Sequence, residues 1–147
     1  GHALEQQDDP HARDDYAGWL LAAIENLWQV FTTQFRALTH DQRATADDAL
    51  LTARLFDRAM VDAYLDQFFA RLLVDSAGFA GAKMTRRVIG ISHVQDLEEI
   101  TDPTIRAACE ARVLAMARKL IIDRGLIRTI SDITNIARHT ITPDLRD

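Results

Sequence analysis

Apolar residues recur at intervals of three and four along most of the chain, the spacing that places them on one face of an α-helix. The first such stretch begins at Tyr16 and ends at Leu38. A polar segment at residues 40–48 predicts a loop, and the apolar positions of residues 48–75 predict one long helix or a kinked pair. Apolar and polar residues nowhere alternate with a period of two over a useful length, as they would in a half-buried strand. The pattern predicts an all-α helical bundle.

Residues 76–93 are rich in small side chains, and we predict a helix there because their larger apolar residues still share one helical face. The segment contains Gly78, Gly81 and Gly90. Glycine inside a helix costs about 1 kcal/mol relative to alanine. Three glycines in one helix therefore indicate that another element packs unusually close to this backbone.

The next helix has a clear start signal. Asp102 or Thr101 can accept hydrogen bonds from free backbone amides, and Pro103 suits a first helical turn. The predicted helix covers about residues 103–123, and Ser131 is the expected cap of a short final helix. We divide the chain into a linker or frayed end at residues 1–15, a helical domain at 16–139 and a tail at 140–147.

Composition narrows the possible functions. The 147 residues are 48% hydrophobic, and 17 Lys and Arg against 22 Asp and Glu give a net charge of −5. That balance repels phosphate backbones and anionic lipid headgroups, so we expect neither nucleic-acid nor membrane binding. The first ten residues lack the basic and apolar regions of a signal peptide, and no apolar run is long enough for a transmembrane helix. A cytoplasmic protein is expected.

Cysteine and histidine usage argues against a metal centre. Cys109 is the single cysteine, which excludes an internal disulfide and a multi-cysteine metal site. Its position beside Ile105 and Val113 predicts a small buried apolar side chain. The five histidines lack the four-residue spacing that places two ligands on one helical face. We expect no metal site in this chain.

The most positive window of this acidic chain lies between Asp75 and Asp96, where twenty residues contain no acid. Arg86 and Arg87 are its most informative members, because guanidinium groups present a planar fork of donors to phosphate, carboxylate or hydroxyl oxygens. Alternatively, the two arginines pair with acids such as Asp96, Glu98 or Glu99. His93, three residues before Asp96, is more simply explained by its interaction with a helix C-terminus than by metal binding or acid–base chemistry.

A longer pattern adds to this picture. Residues 77–97, with the order Gly-Phe-Ala-Gly, Arg-Arg and Gly-x-Ser-His-Val, are followed by residues 100–103 and 106–110. Together they resemble the C-terminal part of the 5-methylthioribose kinases, and residues 16–21 and 27–31 resemble the helix that precedes it in that family. The resemblance covers most of residues 16–138.

The resemblance implies the C-terminal helical, substrate-side part of a protein-kinase-like fold of the aminoglycoside phosphotransferase and choline kinase type. The complete enzyme would transfer the γ-phosphoryl group of ATP to the 1-hydroxyl of methylthioribose in methionine salvage. The family's twin arginine in the sugar pocket corresponds to Arg86 and Arg87. Lys83 and Thr85 depart from the family pattern, in which an acid and an aliphatic residue are expected, and this puts the edge of the pocket in doubt.

The resemblance also implies what this chain lacks. The glycine-rich loop, the lysine, the catalytic aspartate and the metal-binding carboxylates precede the matched region in the family. We therefore expect no catalytic, cofactor-binding or metal-binding residues here, and no ATP or Mg²⁺ bound by the chain alone. The expected partners are methylthioribose, the missing N-terminal nucleotide-binding region and a second copy in a homodimer.

Two other hypotheses remain open from the sequence. The chain could be a stand-alone helical interaction or dimerisation module without catalysis, in which Trp19, Trp28, Phe31 and Phe35 form the contact surface. It could also be an anion-binding regulatory domain that uses the two adjacent arginines.

Overall fold

The computed structural model describes residues 10–45, 51, 55–90 and 95–141, with side chains for 15–42, 51, 55–90 and 97–140. These residues form helices α1 (Pro10–Thr45), α2 (Arg58–Ile89), α3 (Gln95–Glu98), α4 (Pro103–Ile122) and α5 (Ile130–Ile141), with a 3₁₀ turn (Arg124–Leu126) before α5. No strand occurs among the described residues. The all-α class is therefore confirmed.

Helix α1 is longer at both ends than the apolar pattern predicts. It is helical from Pro10, a residue type suited to the first turn of a helix, so residues 10–15 of the predicted linker or frayed end are helical. At the other end it continues to Thr45, through the first two thirds of the predicted loop at 40–48. The polar residue His40 is held there by its ring Nε2, 2.9 Å from Oδ1 of Asp62 on α2. The last helix likewise extends to Ile141, two residues into the predicted tail.

Helix α2 unites two segments that the sequence pattern separates. It begins at Arg58, ten residues after the predicted start at 48, and Asp57 caps it by accepting a 2.7 Å hydrogen bond from the amide of Met60. It then continues without interruption through the glycine-containing segment and ends at Ile89. The prediction of a helix in that segment is confirmed up to Ile89, and residues 91–94 lie outside the described residues.

The two predicted caps have opposite outcomes. Oδ1 of Asp102 accepts hydrogen bonds from the amides of Thr104 (2.7 Å) and Ile105 (3.1 Å), which confirms this start. The cap at Ser131 is wrong, because α5 begins one residue earlier, at Ile130; just before it, the carboxylate of Asp132 accepts hydrogen bonds from the amides of residues 128 and 129, each 2.8 Å away. These hydrogen bonds hold the pKa of Asp132 below its ordinary value.

The core consists of two buried clusters. One joins α2, α4 and the residue after the 3₁₀ turn through Leu73, Ala77, Leu120 and Ile127. The other lies in the first half of α2 and contains Val61, Leu65 and Phe69. The half-buried ring of Trp28 on α1 packs against both clusters.

Polar contacts fix α1 to its two neighbours. Arg36 donates to the carboxylates of Asp62 (2.8 Å) and Asp66 (2.5 Å) on α2. On the other side, the buried hydroxyl of Thr134 on α5 donates to the carboxylate of Glu25, and this hydrogen bond is the largest cause of a lowered pKa of Glu25. Helix α1 therefore lies against both α2 and α5.

The close approach predicted from the glycines occurs at Gly81. A Cβ placed there would lie 2.7 Å from the carbonyl oxygen of Ala117 and 2.8 Å from Cγ1 of Ile121, both on α4. Only a residue without a side chain allows this spacing between α2 and α4. The burial predicted for Cys109 is wrong, since the residue is only half-buried beside the exposed Ile105. This early part of α4 has less cover than the part that packs on Gly81.

Candidate functional site

Arg86 and Arg87 occupy the last turn of α2, and both side chains are exposed. The helix ends directly after them, where the amide of Gly90 donates a 2.9 Å hydrogen bond to the carbonyl oxygen of Arg86. Cations are favoured in the last turn because the helix dipole places partial negative charge there. This local effect orients neither guanidinium toward a particular ligand.

The surroundings of the two arginines differ. Arg87 lines a recess of about 240 Å³ together with Leu97, Glu98, Arg106 and Glu110. The end of α2, the end of α3 and the first turns of α4 supply these side chains. Arg86 is not among the lining residues. The structure thus separates two arginines that their spacing alone leaves equivalent.

Ion pairing within the described chain does not account for the two arginines. Among the acidic side chains that the structure describes, none lies within 4 Å of the guanidinium of Arg86 or Arg87, although Glu98 shares the recess with Arg87. The side chains of Asp96 and His93, which the sequence also singles out, lie outside the described residues. The recess holds one ion pair, 3.9 Å from Nε of Arg106 to Oε1 of Glu110.

The recess combines strong donors with strong acceptors. Arg87 and Arg106 offer only N–H donors, whereas ionised Glu98 and Glu110 offer only acceptor oxygens. A hydroxyl group both donates and accepts hydrogen bonds, so a polyhydroxyl ligand can pair with the guanidinium donors and with the carboxylate acceptors. A ligand with only anionic oxygens would be repelled by the two carboxylates. The chemistry therefore favours a sugar over a simple anion.

The walls of the recess are fixed by features of the adjoining helices. The contact at Gly81 sets the distance between α2 and α4, and the Asp102 cap defines where α4 starts. Ile100, which is buried, anchors the connection between α3 and α4. Sequence reasoning missed Arg106 and Glu110 as members of this site, although their spacing of four residues on a predicted helix was a usable signal.

The two departures from the family pattern do not reach the recess. The ammonium group of Lys83 lies 5.9 Å from the ring centroid of the exposed Phe79. The hydroxyl of Thr85 donates a 2.9 Å hydrogen bond to the carbonyl oxygen of Gly81 within α2. Neither residue lines the recess around Arg87.

A second polar cluster bridges α1 and α2 beside a wider recess of about 530 Å³. His40, Arg36 and Arg58 surround the carboxylate of Asp62 at 2.9, 2.8 and 3.9 Å. The hydrogen bonds from His40 and then Arg36 hold the pKa of Asp62 below its ordinary value. Since its charges are largely compensated within the cluster, we assign it to the connection between the helices.

The described residues contain no group of three or more His, Cys, Asp and Glu side chains placed to hold a metal ion. Gly78 and Gly81 lie inside α2 and not in a loop that could enclose phosphates. Within the same residues, no helix combines the length and apolar character needed to cross a membrane.

Comparison with known proteins identifies the family. No protein-family model matches the sequence. A methylthioribose kinase from Escherichia coli is 40% identical over 127 residues, which cover 86% of this chain. The chain belongs to the methylthioribose kinase family. Methylthioribose kinase 2 of Oryza sativa subsp. japonica is 32% identical over 133 residues (90% of the chain), and a methylthioribose kinase of Yersinia pseudotuberculosis is 35% identical over 102 residues (69%).

The chain spans only part of these kinases: 30% of the E. coli and rice proteins and 22% of the Yersinia protein. A match of 127 residues within a chain of 147 necessarily includes residues 21–127. The whole recess around Arg87 therefore lies in the segment shared with the E. coli methylthioribose kinase.

Proposed function

We propose that this chain is the C-terminal, substrate-side portion of a methylthioribose kinase. In the complete protein, the 1-hydroxyl oxygen of methylthioribose would bond to the γ-phosphorus of ATP as the bond to the departing ADP breaks. The observation that supports this most is the recess lined by two guanidinium and two carboxylate groups. It suits a polyhydroxyl substrate and lies in the segment shared with proteins named for methylthioribose.

Arg87 has the leading role in this proposal. Phosphoryl transfer depends mainly on positioning the acceptor and on neutralising charge near it, and a guanidinium beside the sugar hydroxyls can do both. Glu98 and Glu110 would accept hydrogen bonds from the sugar, and Arg106 would donate from the opposite wall. Arg86, outside the recess, would contribute to the same site only through its positive charge.

The remaining functions belong to the rest of the polypeptide. ATP and Mg²⁺ would be bound by the N-terminal nucleotide-binding region, so the 147-residue chain alone should not phosphorylate methylthioribose. ADP release in the presence of ATP, Mg²⁺ and methylthioribose tests this, and turnover by the purified chain would contradict it. A cytoplasmic location and a homodimeric complete enzyme are further parts of the proposal.

Titration calorimetry of the purified chain with methylthioribose tests the sugar site directly. We expect Arg87→Ala to weaken binding at least tenfold, because a hydrogen bond to a charged group contributes about 1.5–3 kcal/mol. The matched control Arg86→Ala removes the same charge one residue earlier and should weaken binding less than threefold. Equal effects of both substitutions would refute the assignment of Arg87. Tight binding of a phosphorylated ligand without sugar preference would favour an anion-binding regulatory domain.

One observation favours the second candidate function, a helical interaction module. Trp19, Phe31 and Phe35 are exposed on α1, whereas Trp28 of the same predicted surface is half-buried against the core. A chain that binds no sugar but forms a stable dimer in sedimentation experiments would support that alternative.

A further inference from the structure

Helix α1 carries an exposed apolar surface outside the sugar recess, and Phe31 and Phe35, at its edge nearest the core, also contact the buried ring of Phe69. Nine large apolar side chains of this helix are exposed, and at 100° per residue they fall within about 160° of its circumference. We call this surface the apolar face of α1, and it consists of Tyr16, Trp19, Leu20, Ile24, Leu27, Val30, Phe31, Phe35 and Leu38. The core-facing residues Leu21 and Trp28 lie on the adjoining sector.

The apolar face is larger than an isolated domain usually exposes. Its nine side chains are on average about half exposed. A large aromatic side chain has an area of up to about 150–250 Å², and an aliphatic one somewhat less. Nine such side chains, each about half exposed, therefore present roughly 800 Å² of apolar area. The largest apolar patch on a typical monomer is about 300–600 Å², whereas one side of a standard protein interface buries about 800 Å². The apolar face thus has the size of a complete interface.

The same surface continues onto α2. The ring of Phe35 stacks on that of Phe68, with centroids 5.6 Å apart. Tyr64 lies one helical turn before Phe68, hence on the same side of α2, and it is also exposed. A partner on the apolar face would therefore contact both helices.

The length of the relatives indicates what covers this face. The E. coli and rice kinases match this chain over 30% of their length, so 70% of each lies outside the match. Building on the function proposed above, we infer that the apolar face of α1 is the surface on which this unmatched, nucleotide-binding part of the kinase packs.

The direction of the helices supports this partner. Arg36 contacts Asp66, while Trp28, earlier on α1, packs on the cluster of Leu73 and Ala77, later on α2. The two helices are therefore antiparallel, and the Tyr16 end of the apolar face points the same way as the Arg87 end of α2. A body that covers the face at that end therefore lies at the same end of the helix pair as Arg87.

A pair of exposed leucines provides a matched test. Leu27 in the apolar face is 70% exposed, and Leu126 in the 3₁₀ turn is 75% exposed. Each leucine is replaced by glutamate, and the melting temperature is measured in two proteins. One is the isolated chain, and the other is a hybrid E. coli methylthioribose kinase in which this chain replaces the segment that it matches. Leu27→Glu should shift the melting temperature of the isolated chain by less than about 2 °C, because both side chains at this position meet solvent.

In the hybrid, Leu27→Glu should lower the melting temperature by at least about 5 °C or abolish soluble protein, since it buries a charge in the interface. Leu126→Glu should leave both proteins nearly unchanged. Equal shifts for the two hybrid variants would overturn the inference. The inference would also be overturned if sedimentation velocity showed that the isolated chain is a dimer and that Leu27→Glu converts it to a monomer.

A hybrid that is insoluble without either substitution calls for a second measurement. The tagged chain is then co-produced with the unmatched part of the E. coli kinase, and copurification should survive Leu126→Glu but not Leu27→Glu. No copurification of the unaltered chain, or retention by all three, would overturn the inference. Methylthioribose-dependent ADP release by a soluble hybrid tests the proposed function separately. A hybrid that releases no ADP, but whose melting temperature is still lowered by Leu27→Glu, would contradict the proposed kinase function and leave the proposed interface standing.

Discussion

The close packing at Gly81 makes this the position where one added methyl group should have the largest effect on stability. In Gly81→Ala, the new Cβ would lie 2.7 Å from the carbonyl oxygen of Ala117 and 2.8 Å from Cγ1 of Ile121. Ile121 is partly exposed and its side chain can rotate. The carbonyl group belongs to the backbone of α4 and can move only if the helix moves. The substitution therefore forces α2 and α4 apart.

The expected magnitude follows from two opposing effects. Alanine is favoured over glycine inside a helix by about 1 kcal/mol. Overpacking a well-packed contact costs about 1–3 kcal/mol, and a clash with backbone belongs at the upper end. We expect Gly81→Ala to lower the free energy of unfolding by about 1–2 kcal/mol.

Two other glycines are controls for the same chemical change. A Cβ at Gly18 on α1 would meet no atom within 4 Å, so Gly18→Ala should stabilise the chain by about 0.5–1 kcal/mol. A Cβ at Gly78 would lie 3.3 Å from the exposed side chain of Arg124, which can move aside, so Gly78→Ala should fall between the two.

Urea denaturation followed by far-ultraviolet circular dichroism measures all three variants on one scale. The predicted gap between Gly18→Ala and Gly81→Ala is about 1.5–3 kcal/mol, which such extrapolations can resolve. A Gly81→Ala chain as stable as Gly18→Ala would refute the idea that backbone contact fixes the spacing of α2 and α4. Since Arg87 and Arg106 lie on opposite sides of that spacing, Gly81→Ala should also weaken methylthioribose binding.

Two further predictions concern polar contacts of the helices. The pKa of Asp62 is lowered because His40 and Arg36 hydrogen-bond to its charged form. The ionised carboxylate therefore stabilises the folded chain fully above the ordinary pKa of 3.8, and this stabilisation is lost as the pH falls through the lower pKa of the folded state. Below about pH 4, urea titrations should show a steeper loss of stability for the unaltered chain than for Asp62→Asn, and parallel curves would contradict this. Asp102→Ala should lower the free energy of unfolding by about 1 kcal/mol, because two amides of α4 lose their acceptor. Calorimetry should then show a melting temperature lower by about 2–4 °C, and an unchanged melting temperature would show that solvent replaces the cap.

Features that depend on neighbouring residues were predictable from the sequence. The Asp102 cap depends only on local sequence: the carboxylate binds the amides two and three residues later, and Pro103 follows in a position suited to the first turn of a helix. The close approach at Gly81 was predictable because glycine in a helix is unfavourable unless something requires it. The failure at Ser131 is also local, since α5 begins at Ile130 and Ser131 therefore lies inside its first turn, while the carboxylate of Asp132 accepts hydrogen bonds from the amides of residues 128 and 129.

Features that depend on the register between helices were not predictable. Arg36 and Asp62 are 26 residues apart, and nothing in the pattern of either helix indicates that they meet. The same holds for the site, because Arg87 and Arg106 lie on different helices and their approach follows from the packing at Gly81. The spacing of Arg86 and Arg87 shows only that adjacent side chains point about 100° apart, and the position of α4 then determines which of them lines the recess.

The apolar face of α1 shows that a correct helix prediction does not by itself give the environment of the residues in the helix. Periodicity identified the helix, and its apolar residues would ordinarily be taken for core. Their sector, from Val30 and Trp19 at one edge to Leu21 at the other, spans about 200° of the circumference, whereas an apolar sector of about 100° is typical of a helix on a protein surface. Neighbours α2 and α5 cover only part of so wide a sector. The width was therefore already a sequence signal for a further partner, and it agrees with a chain that spans less than a third of its relatives.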